Sequence, residues 1–382
     1  MNKDIETFEP LLEPGKKNVT GYLKWADVTI GEIINSDEVI FVDYSVDEIS
    51  AKAVDAIVKG AKAWDRNRYT DFLTDRIISR SRRDIEKILF RIGLTEYDAI
   101  KIAEKTHALN PKDLFWISPV NGKGMTKTMS NAFNNIFKMK IDADGSTEHS
   151  PDGQNIKRYG VDRGKYGILK KRLSSVMTDA ESEVAVYKFA VLMGIPACPA
   201  WFVDKDTVFS QFSYDFTSEY LVHARHFFKD GERTGEHYKD FVKKFPDFKI
   251  DMARMCLIDF VTRQDDRHLS NFAVLITKEG NKFYPLYDNG RSLFFEDTPE
   301  IVADAISDIP LYSTSFGEVG TYYDVIEDIA REFPLSKLIN LDITENQIIQ
   351  VLEDSRFKDY RFEGSLKWVT EAIRVLKSLN NY

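Results

Sequence analysis

The chain has 382 residues, of which 43% are hydrophobic and 30% are charged. This length exceeds what a single hydrophobic core usually supports, and the composition excludes a disordered or fibrous protein. The net charge of -9 and the pI near 5.4 argue against a surface built mainly for nucleic acid phosphates, so we expect no direct nucleic acid partner.

The two cysteines, Cys198 and Cys256, are far apart and lack the spacing of metal ligands, so the sequence predicts buried thiols in a reducing compartment. The first residues lack the basic start and apolar run of a signal peptide. No stretch approaches the roughly 20 apolar residues of a membrane span. We therefore expect a cytoplasmic protein without membrane association.

Residues 1 to 140 predict an accessory region without catalytic residues. The apolar run from Val39 to Val42 predicts a strand, and helical patterns follow near 47 to 63, 68 to 92 and 97 to 108. Four arginines in the second helical pattern predict either a surface for an acidic partner or an ordinary solvated face. They are Arg76, Arg80, Arg82 and Arg83.

Residues 141 to 215 predict a small β-rich lobe that begins with an exposed loop. Between Asp142 and Lys165 the chain is polar and rich in glycine and serine. This composition is typical of a linker, and also of a flap over nucleotide phosphates, because glycine and serine allow close backbone approach. No GxGxxG or Walker A pattern accompanies it.

Strand and helix patterns follow this loop. Residues from Tyr166 to Lys170 alternate like a strand, and Thr178 opens a capping-box pattern for a helix that Gly194 ends. Two short strands, from Trp201 to Val203 and from Thr207 to Phe212, complete the lobe.

Residues 216 to 382 predict a larger helical lobe. Within it, an apolar helix turns abruptly into the polar loop that contains Asp265 and Asp266, which is how scaffolds often present functional groups. The predicted fold class is therefore α+β, with a small β-rich lobe, a large helical lobe and an N-terminal accessory region.

The polar loop and the hairpin after it predict a cation site. After Asn271, two apolar arms of six residues surround the turn from Lys278 to Asn281. Because the arms are equal, we expect Asn271 and Asp288 to meet at the open end of the hairpin, with Asp266 nearby. Magnesium takes oxygen ligands from few protein groups and completes its shell with water and phosphates. Asn271 and Asp288 are therefore the predicted metal ligands.

At this point the sequence resembles the HipA-like serine/threonine kinases, including the CtkA-like branch, over roughly residues 145 to 375. The motifs that carry the resemblance are the strand from Tyr166 to Lys170, the helix with Ser182-Glu183-Val184, the loop Asp266-Arg267-His268-x-x-Asn271 and the segment Tyr287-Asp288-Asn289-Gly290. The resemblance implies a two-lobed protein-kinase-like fold related to the phosphatidylinositol 3- and 4-kinases.

The resemblance implies a catalytic role for the polar loop. The interval between Asp266 and Asn271 is that of a kinase catalytic loop. Asp266 would position or deprotonate the attacking hydroxyl, and His268 would orient the loop. Asn271 and Asp288 would hold Mg²⁺.

The resemblance also implies a nucleotide site. Lys170 would bind ATP phosphates with the support of Glu183, and Lys171 is the alternative lysine. Strand alternation favours Lys170. Gln211 and Phe212 would lie at the hinge that contacts adenine.

The implied activity is that of a bacterial or phage-borne kinase that transfers the γ-phosphoryl group of ATP to a protein hydroxyl. In several relatives such a kinase is a growth-arresting toxin, paired with an antitoxin, that phosphorylates a translation factor or an aminoacyl-tRNA synthetase. Autophosphorylation in the flap is also implied, with Ser146, Thr147 and Ser150 as candidates. A lipid or small-molecule kinase and a nucleotide-binding pseudokinase are the alternatives.

Overall fold

The computed structural model describes residues 18–120, 156–216, 218–229 and 231–380. Two compact units divide the chain. The first comprises Met1–Lys170, Tyr214–Tyr220 and Ile276–Lys278, and the second comprises Lys171–Ser213, Leu221–Leu275 and Glu279–Tyr382. The predicted domain boundary at residue 140 lies outside the described residues. None of the described helices combines the length and apolar character needed to cross a membrane.

The described residues of the first unit form an antiparallel sheet, four helices and a further hairpin. The sheet strands are β1 (Val19–Trp25), β2 (Val28–Ile34), β3 (Glu38–Phe41), β4 (Ala63–Trp64) and β5 (Phe115–Pro119). Their order is β4-β3-β2-β1-β5. The helices are α1 (Glu48–Val58), α2 (Arg66–Thr74), α3 (Ile85–Arg91) and α4 (Ala99–Thr106). The hairpin pairs β6 (Lys157–Asp162) with β7 (Lys165–Lys171).

The predicted strand near Val39 is confirmed, but the predicted helix over 68 to 92 is wrong because the chain breaks into α2 and α3. Between these helices the Arg76 side chain turns inward, where it donates to the carbonyls of Ala108 and Phe115 at 2.8 Å and pairs with Asp113 at 2.7 Å. A buried arginine needs such partners.

Neither prediction for the arginine cluster fits its two buried members. The Arg76 side chain is almost fully buried, and the Arg82 side chain is fully buried beside Asp84 at 2.5 Å. Only Arg80 and Arg83 are exposed. Two of the four arginines are therefore structural elements of the first unit, and the other two lie on its surface.

Strand β6 corrects the last part of the loop predicted between Asp142 and Lys165, and residues 142 to 155 of that loop lie outside the described residues. Gly160 lies directly opposite Gly167 in the β6–β7 register. A Cβ at Gly160 would collide with the Leu169 side chain, so the glycine makes room for packing inside a strand. A polar, glycine-containing segment was therefore misinterpreted as a loop.

The second unit is mostly helical. Its helices are α5 (Asp179–Met193), α6 (His237–Lys244), α7 (Lys249–Val261), α8 (Pro299–Ala305), α9 (Tyr322–Glu332), α10 (Leu335–Leu338), α11 (Glu345–Asp354) and α12 (Asp359–Leu379). Short 3₁₀ turns occupy Ala224–Phe227 and Pro246–Phe248. Its strands are β8 (Ala200–Phe202), β9 (Thr207–Gln211), β10 (Tyr220–His223), β11 (Ala273–Thr277) and β12 (Gly280–Phe283), of which β10 and β11 extend by a few residues into the first unit.

Strands β8 and β9 form an antiparallel hairpin, and β10, β11 and β12 form a three-stranded sheet in that order. The central element is α7, whose residues from Met255 to Val261 are all buried. Its apolar character on every side is typical of a helix enclosed by others. Helices α9 and α12 pack against it, and the buried Trp368 of α12 donates its indole N–H to the Phe260 carbonyl at 3.2 Å. Together with the antiparallel sheets, these helices confirm the predicted α+β class.

Two local predictions in this unit are wrong. Thr178 does not cap α5 with its side chain; its backbone N–H and its hydroxyl both reach the Phe295 carbonyl, at 2.9 and 3.5 Å. The hairpin after Asn271 does not have two six-residue arms, because β11 has five residues and β12 has four, and the Tyr284 N–H then bonds the Ala273 carbonyl at 3.0 Å. The chain then leaves the hairpin, and Leu286 exchanges backbone hydrogen bonds with Pro196 and Cys198 at 3.1 and 2.8 Å.

Candidate active site

The polar loop that follows α7 is held by its own backbone. Asn271 donates its side-chain N–H to the Asp266 carbonyl at 2.7 Å, and the His268 backbone N–H reaches the same carbonyl at 2.9 Å. The Asn271 backbone N–H in turn bonds the His268 carbonyl at 2.8 Å. These bonds orient the Asn271 amide so that its oxygen is the atom directed toward other ligands. The loop thus presents Asp266 and Asn271 in a fixed relation.

His268 is exposed, and its ring accepts the Ser270 backbone N–H at Nδ1 over 3.1 Å. An imidazole nitrogen that accepts a hydrogen bond carries no proton, so the neutral ring has its proton on Nε2. This contact stabilises the turn between Asp266 and Asn271.

Arg267 is the centre of the site, and all five of its N–H groups have acceptors. Two bonds go to Asp259, from Nε at 2.9 Å and from Nη2 at 2.8 Å. Nη1 donates to the carbonyls of Asn271 at 2.9 Å and Tyr287 at 2.7 Å, and Nη2 donates to Oδ1 of Asn289 at 2.7 Å. We call this set of five bonds the Arg267 fork. It joins the polar loop to the Asp288 segment.

The ion pair inside the fork is completely buried. Neither the Arg267 nor the Asp259 side chain is exposed, and the Tyr322 hydroxyl adds a hydrogen bond to Asp259 at 3.0 Å. Burial alone would lower the pKa of Arg267, but the adjacent Asp259 carboxylate outweighs burial and raises it. The guanidinium therefore stays charged inside the protein.

The Asp288 segment has a backbone conformation that suits a functional site. Asp288 adopts φ +54°, a left-handed conformation that only a few residue types besides glycine tolerate well. The backbone N–H of the next residue, Asn289, donates to Oε2 of the buried Glu183 at 3.0 Å. Gly290 packs against α5, where an added Cβ would lie 3.3 Å from the Asp179 carbonyl oxygen. Helix α5 thereby fixes the segment from one side.

A tyrosine fixes the same segment from the other side. The Tyr287 hydroxyl donates to the Ser270 carbonyl at 2.9 Å and lies 2.8 Å from Nδ1 of His223. Since the tyrosine proton is used on Ser270, the histidine donates in the second bond. Burial raises the pKa of Tyr287 well above its ordinary value, so the hydroxyl keeps its proton.

Two neighbouring carboxylates share one arginine at the edge of the polar loop. Nε of Arg291 lies 3.3 Å from Oδ1 of Asp265, and its Nη1 lies 4.0 Å from Oδ1 of Asp266. Partial burial raises the pKa of Asp265 to about 6, and the charge of Asp266 adds to this while Arg291 opposes it. The site therefore contains two adjacent acids in different environments.

The predicted site residues fall into four groups. Asp266, His268, Asn271, Asp288 and Glu183 belong to the second unit, where the contacts above connect them. Lys170 belongs to the first unit, on β7, and is buried, whereas Lys171 is exposed. Gln211 ends β9, with its backbone N–H on the Pro199 carbonyl at 2.8 Å, and Phe212 follows it. The predicted phosphorylation sites lie outside the described residues; they are Ser146, Thr147 and Ser150.

The donor set at the Asp288 segment fits magnesium. It offers the Asp288 carboxylate and the Asn271 amide oxygen, and both segments are tied by the same guanidinium. Within the described residues no group of three or more His, Cys, Asp or Glu side chains could hold a metal. Few protein ligands are what Mg²⁺ requires when substrate phosphates and water complete its shell. A zinc-type cluster is not part of the described chain.

The solved structures that are similar to this chain include the following two. CtkA, a proinflammatory kinase of Helicobacter pylori, is 14% identical, with a TM-score of 0.48 over 64% of this chain and 96% of that chain. HipA of Shewanella oneidensis MR-1, in a complex with HipB and its operator DNA, is 12% identical, with a TM-score of 0.49 over 95% of this chain and 99% of that chain. Neither a family model nor a curated protein matches the chain.

Both structures carry names of the family that the motifs resemble. With TM-scores below 0.5, they define no site and no reaction for this chain. The chemistry must follow from the residues of the chain itself.

Sequence reasoning missed the fork, although the sequence contains a sign of it. Asp259 is a single carboxylate in an otherwise apolar stretch of α7, between Ile258 and Phe260. A buried carboxylate requires a cation or several donors, and Arg267 is eight residues further along the chain. The role of Tyr287 had no comparable sign, because its partners come from two other segments.

Proposed function

We propose that this chain is an ATP- and Mg²⁺-dependent serine/threonine protein kinase of the HipA-like type, which transfers the γ-phosphoryl group to a protein hydroxyl. The observation that carries the proposal is the Arg267 fork, which binds the carbonyls of Asn271 and Tyr287 through one nitrogen. A kinase needs this convergence, because the carboxylate that handles the acceptor hydroxyl and the metal ligands must act on the same phosphoryl group.

In this proposal Asp266 accepts or orients the proton of the attacking hydroxyl. Two N–H groups bind its backbone carbonyl, so the loop already holds Asp266 in one conformation before the substrate binds. Asn271 and Asp288 hold Mg²⁺, which when bound neutralises charge on the phosphates. His268 keeps the turn between Asp266 and Asn271 in shape.

Lys170 is the proposed phosphate-binding lysine, since it is buried in β7 while Lys171 faces solvent. Glu183 supports the nucleotide site from α5, where it already accepts the Asn289 N–H that follows the metal ligand Asp288. Glu183 therefore connects α5 to the metal segment. The hinge that contacts adenine falls at the end of β9.

The finer parts of the proposal come from the family resemblance. They are a cytoplasmic location, serine or threonine as acceptor, a translation factor or an aminoacyl-tRNA synthetase as substrate, an antitoxin partner, and autophosphorylation at Ser146, Thr147 or Ser150. Of these, phosphorylation of a protein is the one that can be tested directly.

The test is transfer of label from γ-labelled ATP with Mg²⁺, followed by mapping of any labelled residue. We expect label on the wild-type protein and its loss by at least about a hundredfold in Asp266→Ala, with nucleotide affinity largely retained. Asp265→Asn is the matched control, because it removes the neighbouring carboxylate and should leave transfer within a few fold.

Wild-type turnover by Asp266→Ala would contradict the assignment of the base. Loss of transfer in Asp265→Asn alone would move that role to the neighbouring residue. Tight ATP binding by the wild type without any transfer to protein would favour a small-molecule kinase or a pseudokinase.

A further inference from the structure

One glutamine side chain binds the backbone of the proposed base. The side-chain oxygen of Gln264 accepts the backbone N–H of Asp266 at 2.9 Å, and Gln264 is fully buried. Because the backbone N–H is a donor, the amide must face it with its oxygen and not with its nitrogen. The bond therefore fixes the orientation of the Gln264 amide as well as that of the peptide group before the α-carbon of Asp266.

Both peptide groups that flank the α-carbon of Asp266 are thereby held. Gln264 binds the N–H on one side, while the Asn271 amide and the His268 N–H bind the carbonyl on the other, at 2.7 and 2.9 Å. A peptide group is planar, so two held peptide groups fix the backbone dihedrals of the residue between them. The Cα–Cβ bond of Asp266 consequently has a defined direction in this loop.

Gln264 is in turn anchored at both of its own backbone groups. Its N–H donates to the Asp259 carbonyl at 2.8 Å, and its carbonyl accepts the hydroxyl of Thr314 at 2.5 Å. The side chain of the same Asp259 pairs with Arg267 in the Arg267 fork. Gln264 therefore connects the last turn of α7, and with it the buried ion pair, to Asp266.

The amide nitrogen of Gln264 argues against a role in stability alone. Nε2 is buried and has no acceptor among the described residues. A buried donor without an acceptor is unfavourable, which offsets part of what the bond to Asp266 contributes. A glutamate would offer the same acceptor oxygen without the unused donor, but its charge would lie beside Asp265 and Asp266. A neutral acceptor binds the Asp266 N–H without adding a third negative charge.

We propose that Gln264 is a positioning residue for phosphoryl transfer, which acts through Asp266 by setting the direction of its carboxylate. Asp265 and Asp266 are adjacent, so a small change of the backbone between them alters which carboxylate reaches an acceptor hydroxyl. A misplacement of about 1 Å can lower a rate by about a hundredfold. The inference rests on the proposed function and concerns a residue outside the motifs of the site.

The test is a double-mutant cycle in the full chain, measured as transfer from γ-labelled ATP with Mg²⁺. Gln264→Met removes the acceptor and keeps the length of the side chain, so kcat should fall about tenfold or more while the KM for ATP stays unchanged. The same substitution in the Asp266→Ala protein should change the remaining rate by less than about twofold, because Gln264 acts through that carboxylate. A merely structural role would lower both rates by the same factor.

Two further variants control for the loss of a buried bond. Thr262→Val removes a fully buried hydroxyl that donates to the Ile258 carbonyl at 2.8 Å, and it should leave transfer within a few fold of the wild type. Gln264→Glu keeps an acceptor, and burial beside two aspartates raises the pKa of the new carboxyl. At pH 6 this variant should therefore transfer phosphate faster than Gln264→Met, and it replaces Gln264→Met in the cycle, with transfer near the wild-type rate expected, if the methionine variant does not fold.

The outcomes separate this inference from the proposed function. If the wild type transfers phosphate and Gln264→Met does so equally well, the role of Gln264 is refuted while the kinase proposal stands. The same holds if the substitution lowers the rate by one factor with and without the Asp266 carboxylate, or if Gln264→Glu is slower than Gln264→Met at pH 6. If the wild type transfers no phosphate to protein, the proposed function and this inference fail together.

Discussion

Replacement of Arg267 by methionine gives the sharpest test of how the site is held together. The change leaves the Asp259 carboxylate buried without its cation, since both side chains are fully enclosed. Removal of one member of a buried ion pair typically costs about 3–5 kcal/mol. Because whole domains are stable by only about 5–15 kcal/mol, this loss is large enough to measure by urea denaturation.

Arg374→Met is the control for this variant. Arg374 pairs with Glu371 on the surface, where the Arg374 side chain is 73% exposed. Solvent screens an exposed pair of this kind, so the control should unfold close to the wild-type denaturant concentration. A similar midpoint for Arg267→Met would refute the argument from the buried pair.

A double variant separates stability from positioning. Asp259→Asn combined with Arg267→Met removes both charges, and the asparagine keeps an oxygen for the Tyr322 hydroxyl. We expect the double variant to recover much of the lost stability, because no uncompensated charge remains. Phosphoryl transfer should stay low, since the carbonyls of Asn271 and Tyr287 still lack their common donor. Recovery of transfer together with stability would show that the fork does not position the site.

Two further predictions concern α5. Glu183→Gln keeps an acceptor for the Asn289 N–H and should cost little stability. Glu183→Ala leaves that N–H without its acceptor and should lower the free energy of unfolding by about 1–3 kcal/mol. Equal costs for the two variants would contradict the bond at 3.0 Å. Burial raises the pKa of Asp179 from 3.8 to about 6, so this carboxyl stabilises the fold when protonated and loses that contribution as pH rises through about 6. Between about pH 4 and pH 8 the stability of Asp179→Asn should therefore gain about 3 kcal/mol relative to the wild type, and a pH-independent difference would exclude this titration.

The sequence predicted those parts of the site that depend on local pattern. The strand before Lys170, the helix ended by Gly194 at φ +71° and the polar loop after α7 all follow from alternation, capping and an abrupt change of polarity. These features require only neighbours along the chain. The loop predicted where β6 lies was wrong for the opposite reason, since Gly160 is explained by Leu169 on the facing strand.

The convergence of Asn271 and Asp288 was expected for a reason that the structure does not support. Equal hairpin arms were to bring them together, yet β12 stops at Phe283 and the chain turns toward Pro196 and Cys198. Instead, the Arg267 fork joins the two segments, because it binds the carbonyls of Asn271 and Tyr287. Hairpin geometry could be counted from the sequence, while a contact between a guanidinium and two distant carbonyls could not.

The sequence motif of the site is short because several of the bonds that hold the site join a side chain to a backbone group. Arg267 binds the backbone carbonyls of Asn271 and Tyr287, and the Ser182 hydroxyl binds the Ser292 carbonyl at 2.7 Å. The backbone N–H of Asn289 is likewise the donor to a side chain. Each of these bonds depends on one side chain and on the backbone of its partner, so the bond itself requires no particular side chain at the partner position. Other contacts do require one at Asn271, whose amide binds the Asp266 carbonyl, and at Tyr287, whose hydroxyl binds the Ser270 carbonyl.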